Sequence, residues 1–580
     1  MNIYERKFKT ASFIVLTICV LFFGGIIHKY FGAKTIQESE TLEKYSRNSE
    51  LEVAVYYPLS NLKSNASDFF VRWWENPAEE NKCYLFLPLA VKEKTIHWFL
   101  QNDTNLWVDQ IRIQDGDIFE LQEGVYEVEL ERGGETSCKT MEVLYSSCLP
   151  SLFIETESGT LDYAHGQRGN TESGKYAILN AQGVLENGGI IDRFRGRGNV
   201  SWYETDKKSY LLDLQEKANL VSMGENKDWI LYSNAFDKTL FRNKISFDLA
   251  KRMELPYTPD YEYIDVYING EYRGNYLLME KIEIDENRVA IRNLEKETEV
   301  MNGENLVSAE RFLEQGKDGV SSLKGIKIEN QPKDLTGGYL LELDFEGRYQ
   351  EEISGFISTR RQPVNIKSPK YASYEQVSYI MNFYQEFEDA VFSEDGTNPV
   401  TGRKYTEFID MYSFVRKYLL EEIIKNIDAS STSQYIYKPS DGESEKMYAG
   451  PAWDYDKAIG IGAISDAGVD LWIPEYIHAG SKKHESDIWW ALYQQPEFKD
   501  MAVEVFRDEV CLMIEKELTQ TVPETIEMIF PSAKMNIIRW HMKPGQQIEE
   551  RMDWYLEDVQ NRVDFLRNRA DFLKDEWNIR

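Results

Sequence analysis

Hydrophobic and polar positions alternate with a period of two over much of the first half of the chain. Between residues 51 and 148 this alternation recurs at 52–57, 69–74, 95–100 and 124–130, with turn residues between the runs. A period of two is typical of half-buried β-strands. The pattern therefore predicts a small all-β domain of the β-sandwich kind over residues 51–148, serving as a spacer or a binding module.

A larger domain is predicted over residues 150–580. Strand-like runs at 150–156, 210–214 and 263–268 lead to Asn269-Gly270, a strong signal for a hairpin turn. The period changes to that of a helix at 240–253, 371–391, 407–425 and from 486 to the end, which predicts a helical C-terminal part from about residue 470. Residues 295–335 are charged and weakly patterned, so we expect a long loop or insertion there. The fold class is α+β.

The N-terminus carries a membrane-targeting pattern. Arg6, Lys7 and Lys9 precede an apolar run over residues 11–27, which is long enough to cross a bilayer core. Basic residues on the leading side place that side in the cytoplasm. Residues 1–33 are thus predicted to be a cytoplasmic stub and a transmembrane signal anchor, and residues 34–50 a linker. The protein would be single-pass in the cell membrane, with its bulk extracytoplasmic; a cleaved signal peptide is the alternative.

Composition limits the classes of function. The 580-residue chain has a formal net charge of −32, spread along its length, whereas nucleic acids are bound by clustered Lys and Arg. No nucleic acid partner is expected, and a basic protein substrate would be attracted by the negative electrostatic field of the chain. The five cysteines form no Cys-x-x-Cys pair, which argues against zinc, although Cys138 and Cys148 could pair across a hairpin. No histidine lies in the motifs below, which disfavours Ser/His/Asp hydrolysis.

Two acidic motifs lie on either side of a predicted strand. Asp428 precedes a hydroxyl-rich turn and the strand, and Asp454 and Asp456 follow in Gly450-Pro451-Ala452-Trp453-Asp454-Tyr455-Asp456. Kinase sites use this order: the first acid orients the acceptor hydroxyl and the second holds Mg²⁺ against the phosphates. The alternative is two loop aspartates beside a buried tryptophan, because aspartate is common in turns.

A glycine-containing turn and a lysine pair lie upstream. In Arg195-Gly196-Arg197-Gly198 the glycines would let backbone N–H groups approach an anion, and the arginines would add positive charge. Lys207-Lys208 begins the next strand, where kinases place a lysine that grips nucleotide phosphates. The alternatives are a β-turn with exposed arginines and a pair of surface lysines.

Together these motifs resemble the CotH family, the spore-coat protein H-type kinases. The resemblance covers roughly residues 150–575. It is carried by 195–199, 207–210, 240–243, 266–276, 337–344 and 450–456. It implies an atypical protein-kinase-like fold that transfers phosphate from ATP to Ser or Thr of secreted, coat or cell-surface proteins, with Mg²⁺ or Mn²⁺.

The resemblance also implies roles for single residues. Asp428 becomes the catalytic-loop acid, Asp454 the metal-binding acid and Asp456 a second candidate ligand. Lys208 becomes the phosphate-binding lysine, with Lys207 as the runner-up. For the acidic partner of that lysine, Glu280 is one candidate among several.

The sequence departs from the family pattern at two positions. Val200 replaces the first of two hydroxyl residues after Gly-Asn, and Asp213 stands where many relatives have Lys. Asp344-Phe345-Glu346-Gly347 superficially resembles a kinase Asp-Phe-Gly, but it precedes Asp428. We interpret it as the turn after a strand.

Two other classes of function remain open. One is a pseudokinase or cell-surface binding module that keeps the fold without catalysis. The other is carbohydrate or protein binding by exposed aromatics of residues 51–148, such as Trp73, Trp74 and Trp98, although core packing is the more usual role of such residues.

Overall fold

The computed structural model describes residues 53–57, 69–460 and 486–579, apart from 78, 80, 92–95, 102, 119–120, 304 and 544. The predicted anchor at 11–27 and the linker at 34–50 lie outside these residues. Among the helices of the described ranges, none combines the length and the apolar character needed to cross a bilayer.

Strands lie where the alternation predicts them between residues 53 and 145. One sheet has three strands in the order β2-β1-β5, and a second has six in the order β3-β4-β9-β8-β6-β7. The strands are β1 Val53–Tyr57, β2 Phe69–Arg72, β3 Trp74–Glu75, β4 Lys82–Leu87, β5 His97–Leu100, β6 Thr104–Val108, β7 Ile111–Ile113, β8 Gly124–Arg132 and β9 Glu135–Tyr145.

The aromatic residues of this region belong to a hydrophobic core. Trp98 is fully buried, while Trp73 and Trp74 are half-buried and pack against the same core. This burial gives no support to a binding surface built on these tryptophans. Cys138 and Cys148 are both exposed free thiols, so the disulfide considered for them does not form.

A closed seven-stranded barrel follows. Its strand order is β10-β11-β12-β13-β14-β16-β15. The predicted Asn269-Gly270 hairpin is confirmed between its last two strands, and both turn residues have positive φ, 52° and 80°, as a type I′ turn requires. The strands are β10 Ser151–Thr156, β11 Thr171–Leu179, β12 Leu185–Arg197, β13 Ser209–Asn219, β14 Glu225–Tyr232, β15 Tyr261–Ile268 and β16 Glu271–Glu280.

Alternation along each barrel strand decides which side chains can reach the second half of the chain. Tyr210 and Leu212 point into the barrel core, whereas Leu211 lies on the outer face and joins a separate core formed with the helices. On β12, Phe194 points inward, so Arg195 and Arg197 share the outer face.

The second half contains a seven-stranded sheet of order β17-β18-β20-β21-β19-β22-β23. Its strands are β17 Arg311–Gln315, β18 Ser322–Ile326, β19 Tyr339–Leu343, β20 Gly355–Ile357, β21 Pro363–Ser368, β22 Gln434–Lys438 and β23 Tyr448–Ala449. The loop expected over 295–335 is wrong in part, because this segment holds two helices and the hairpin of β17 and β18. Most side chains of β17 are exposed, so the segment lacks the hydrophobic alternation by which strands are identified.

Helices occupy the positions that the helical periodicity predicts, and the fold is α+β. The helices are α1 Asp162–Gly166, α2 Val200–Glu204, α3 Arg242–Arg252, α4 Leu294–Asn302, α5 Asn305–Ser308, α6 Glu346–Glu351, α7 Tyr374–Val391, α8 Met411–Ile424, α9 Ile488–Gln494, α10 Pro496–Val505, α11 Cys511–Lys516, α12 Val522–His541 and α13 Ile548–Glu576. The helices α3, α7, α8 and α12 pack into one core with the outer face of the barrel and the second sheet. The predicted α+β order, strands first and helices later, is confirmed.

Candidate functional site

The candidate site forms where the second sheet meets the barrel. Strands β19 and β22 are antiparallel, with Leu343 opposite Gln434. The residue after β19, Asp344, therefore lies at the same sheet edge as Ser433, the residue before β22. Asp428 lies between α8 and β22, on the loop that leads to this edge. The strand order thus brings the segment after β19 and the loop that carries Asp428 and Ser433 to one edge of the sheet.

Asp454 is held by one residue from each half of the fold. Tyr232, at the end of β14, donates a hydrogen bond to Asp454 Oδ1, and Ser433 donates to Oδ2 at 3.1 Å. Asp454 and Ser433 both adopt left-handed φ, 68° and 57°. Such a conformation costs roughly 1 kcal/mol for a non-glycine residue. The fold therefore holds this carboxylate in one orientation at some cost in stability.

Asp428 and Asp456 complete an acidic cluster with Asp454. The pKa of Asp456 is raised to about 8, chiefly by burial and then by the charge of Asp454, against the opposing effect of Lys457. Burial also raises the pKa of Asp428 to about 6, with Lys457 opposing and Asp454 adding to the rise. No described residue donates a hydrogen bond to the carboxylate of Asp428, which leaves its oxygens free to accept a proton or a hydroxyl.

A buried polar network ties the loop of Asp454 and Asp456 to the helix α8. Tyr455 points away from both acids and donates to Glu421 Oε1 at 3.2 Å, while Lys417 Nζ donates to the Tyr455 hydroxyl at 2.9 Å. Lys417 also forms an ion pair with Glu421, and both side chains are buried on α8. The network joins the acidic loop to the helix that leads to Asp428.

Arg197 extends the site onto the barrel. Its guanidinium carbon lies 4.8 Å from the ring centre of Trp453, the residue before Asp454, and 5.9 Å from that of Tyr232. Arg195 lies on the same strand face, and its pKa is lowered by burial and then by the charges of Arg193 and Arg197. Of the two arginines predicted from the glycine turn, Arg197 therefore puts positive charge beside the acidic loop, and Arg195 lies two residues before it on the same strand face.

The glycines of this turn serve packing and backbone geometry. A Cβ on Gly196 would lie 2.0 Å from Trp202 Cζ3, so the glycine makes room for the indole ring of α2. Gly198 has φ of 103°, which favours glycine. Asp213, the departure from the family pattern, forms an ion pair with Arg193 on the neighbouring strand.

The structure does not bring Lys208, Lys207 and Glu280 to the acidic cluster. Lys208 Nζ donates to the carbonyls of Trp202 and Thr205 and lies 5.3 Å from the Trp202 ring centre. Lys207 is buried against the Asn275 carbonyl, and burial lowers its pKa well below the ordinary value. Their roles remain predictions.

Glu280 pairs with Arg288 Nη1 at 2.5 Å and accepts the backbone N–H of Asp260. Its pKa is raised by burial to about 7. The lysine beside the acids is Lys457, from the same motif as Asp454, and the sequence motif gave no reason to prefer it over the strand lysines.

Asp344 is a site residue that the sequence interpretation set aside as a turn. It does follow a strand, but its Oδ1 accepts the Thr432 hydroxyl at 2.7 Å and its Oδ2 accepts Asn365 Nδ2 at 3.1 Å. Burial and the charge of Glu342 raise its pKa to about 7. Asp344 thus holds Thr432 in place, in the part of the loop that runs from Asp428 to Ser433.

The acidic cluster fits a hard divalent cation. Among the described residues, no group of three or more His, Cys, Asp and Glu side chains is close enough to form an all-protein metal site. Mg²⁺ bound together with nucleotide needs only one or two carboxylates, because phosphates and water complete its ligands. The carboxylate oxygens of half-buried Asp454 and buried Asp456 are donors of the kind that this requirement names.

Comparison with known protein families identifies the family to which this chain belongs. No curated protein matches the chain. The family described as "CotH kinase protein" matches residues 193–572, well over half of the chain. This span includes Arg195, Arg197, Asp344 and all three acids of the cluster. The chain therefore belongs to the CotH kinase protein family.

Proposed function

We propose that this protein is an atypical, metal-dependent kinase with a protein-kinase-like fold that transfers the γ-phosphate of ATP to Ser or Thr of a protein. The convergence of Asp428, Asp454 and Asp456 beside Arg197 carries the proposal. Phosphoryl transfer is accelerated chiefly by positioning and by neutralising charge, and these are the functions such a cluster can perform.

Each residue of the cluster has a distinct task. Asp454 and Asp456 would hold Mg²⁺ or Mn²⁺, which when bound neutralises charge on the phosphates. Arg197, held in place by Trp453, would contact phosphate oxygens. Asp428 accepts the hydrogen bond of the acceptor hydroxyl and takes its proton as the oxygen attacks the γ-phosphorus, while the bond from that phosphorus to the bridging oxygen breaks and ADP leaves. Tyr232 and Ser433 keep Asp454 oriented throughout.

The protein substrate is a Ser- or Thr-rich secreted, coat or cell-surface protein. The net charge of −32 would attract a basic segment and repel nucleic acid. The direct test is incubation of the protein with ATP labelled at the γ-phosphate, Mg²⁺ or Mn²⁺, and a Ser-rich basic acceptor. Metal-dependent labelling of the acceptor is expected. Nucleotide binding without transfer to any acceptor would instead support a pseudokinase, and absence of binding would leave a surface-binding module.

The source of positive charge on the phosphates can be tested by comparing two substitutions. We expect Arg197→Ala to weaken Mg·ATP binding by about 10- to 100-fold, the range for a charge-assisted hydrogen bond worth ~1.5–3 kcal/mol. Lys208→Ala should change affinity much less, because this ammonium is engaged with two backbone carbonyls. Titration calorimetry compares the two. A larger loss for Lys208→Ala would return the role to the lysine that the resemblance implies.

We further propose that residues 11–27 anchor the protein in the cell membrane with residues 51–580 outside. The apolar run and the basic residues that precede it motivate this topology. Protease added to intact cells should digest the C-terminal bulk and leave a short membrane-bound fragment. Full protection in intact cells, with digestion only after lysis, would contradict the topology without bearing on the kinase proposal.

A further inference from the structure

A chain of polar contacts leads from the acidic loops back to the barrel. Thr432, between Asp428 and Ser433, donates to Asp344, and Arg348 Nε lies 4.0 Å from Asp344 Oδ2. Arg348 also pairs with Glu351, the last residue of α6. Glu351 Oε2 in turn lies 3.5 Å from Arg168 Nη2, on the segment between α1 and β11. The Arg168–Glu351 pair thus joins the second sheet to the barrel.

Arg168 is fixed to the glycine turn. Its Nη1 donates to Asn199 Oδ1 at 2.6 Å and to the Gly198 carbonyl at 3.2 Å. Gly198 follows Arg197, whose guanidinium lies against Trp453 beside Asp454. Arg168 is also among the charges that lower the pKa of Arg195, although burial is the larger cause. Arg168 therefore adds a further guanidinium near Arg195 and next to the turn that follows Arg197.

The contact between Arg168 and Glu351 is easily exchanged. The side chain of Glu351 is 56% exposed and that of Arg168 is 31% exposed. Exposed ion pairs contribute about 0–1 kcal/mol. A phosphate group makes stronger, forked hydrogen bonds to a guanidinium than one distant carboxylate oxygen does. If the Glu351 carboxylate moves away, Arg168 Nη1 keeps its hydrogen bonds to Asn199 and Gly198, and Arg168 Nη2 becomes available to a new anion.

We propose that Arg168 is a phosphate-binding residue of this site. The Glu351 carboxylate pairs with the Arg168 guanidinium until a phosphate group displaces it. The ligand class is a nucleoside triphosphate or another polyphosphate. The inference rests on the proposed function for the identity of the nucleotide. It adds to that function an internal competitor, Glu351. The Glu351 carboxylate lowers the affinity for nucleotide and keeps the Arg168 guanidinium paired when no nucleotide is bound.

Four variants of the full-length protein test this competition. Glu351→Gln should tighten Mg·ATP binding about two- to fivefold, since it removes an exposed ion pair. Arg168→Gln should weaken binding about tenfold. In the Arg168→Gln background, Glu351→Gln should change nothing further. The matched control is Glu310→Gln, which removes an exposed carboxylate paired with Lys327 at 2.6 Å on the β17–β18 hairpin. Calorimetry with Mg·ATP, and separately with inorganic triphosphate, measures each affinity.

The outcomes separate this inference from the proposed function. Unchanged or weaker binding by Glu351→Gln, in a wild-type protein that binds Mg·ATP, would overturn the competition and leave the kinase proposal intact. Wild-type binding of inorganic triphosphate but not of ATP, with the expected pattern in the variants, would support the anion site and contradict the kinase proposal. If Arg168→Gln fails to fold, as judged by thermal unfolding, the exposed Glu351→Gln variant alone decides.

Discussion

Asp454→Ala is expected to abolish metal-dependent ATP binding. Substitutions of residues that only support metal ligands lower metal affinity by about 10- to 100-fold, so loss of a direct ligand should cost at least about 100-fold. The remaining acid, Asp456, is buried and would leave at most one of the two proposed carboxylates to hold the ion. Calorimetric titration of Mg·ATP, with and without excess chelator, measures the loss.

Two milder substitutions distinguish a ligand from a residue that supports it. Tyr232→Phe and Ser433→Ala each remove one hydrogen bond to Asp454 and keep its charge. Each should weaken metal-dependent binding by less than Asp454→Ala does. Asp500→Ala, an exposed aspartate on α10, is the control for loss of a carboxylate elsewhere. Metal-dependent binding that survives Asp454→Ala would assign the metal to other residues.

The sequence was informative where functional residues lie close together in the chain. Asp428, Asp454 and Asp456 lie on either side of one predicted strand, so their order alone indicates a common site. Arg195 and Arg197 are two positions apart on one strand, and period-two alternation puts such residues on the same face. That face is the outer one, because Phe194 packs inside the barrel.

The sequence was less informative where tertiary pairing decides. Asp344 reaches the loop that carries Asp428 only because β19 pairs with β22, two strands separated by α6 to α8 and two further strands. No local pattern specifies that pairing. Lys208 illustrates the opposite case: its position at the start of a strand matched the kinase order, but its side chain lies against Trp202. A one-residue change in register is enough to reverse the side of a sheet that a strand residue faces.

Buried polar networks account for the remainder of the site. The Lys417–Glu421–Tyr455 network is formed by residues of α8 and of the acidic loop. The i,i+4 spacing of Lys417 and Glu421 indicates that these two side chains can pair on a helix, but nothing in the sequence indicates that Tyr455 joins them. Burying a charge is costly unless it is paired and hydrogen-bonded, which explains why the three groups meet. Their effect is to couple the position of Asp454 to the helix that leads to Asp428.

Asp428→Asn is expected to remove phosphoryl transfer and to leave Mg·ATP binding within about twofold of the wild type, since the acid acts on the acceptor and not on the nucleotide. A general base contributes about 10²- to 10⁴-fold to rate, so transfer should fall by that factor. No described residue donates a hydrogen bond to this carboxylate, so an amide of the same shape fits without loss of a hydrogen bond, and only the attraction to Lys457 is removed. Single-turnover labelling and titration calorimetry on the same preparation give rate and affinity.

The pairing of the two aspartate substitutions is what makes the result specific. Asp454→Ala should lose binding and transfer together, whereas Asp428→Asn should lose transfer alone. Both variants should stay folded. Thermal unfolding of Asp428→Asn should match the wild type, whereas Asp454→Ala should unfold at a somewhat lower temperature, because Tyr232 and Ser433 lose their acceptor. Transfer that continues at the wild-type rate in Asp428→Asn would mean that another group takes the hydroxyl proton. Asp344, which lies on the same sheet edge and contacts the same loop through Thr432, would then be the acid to substitute next.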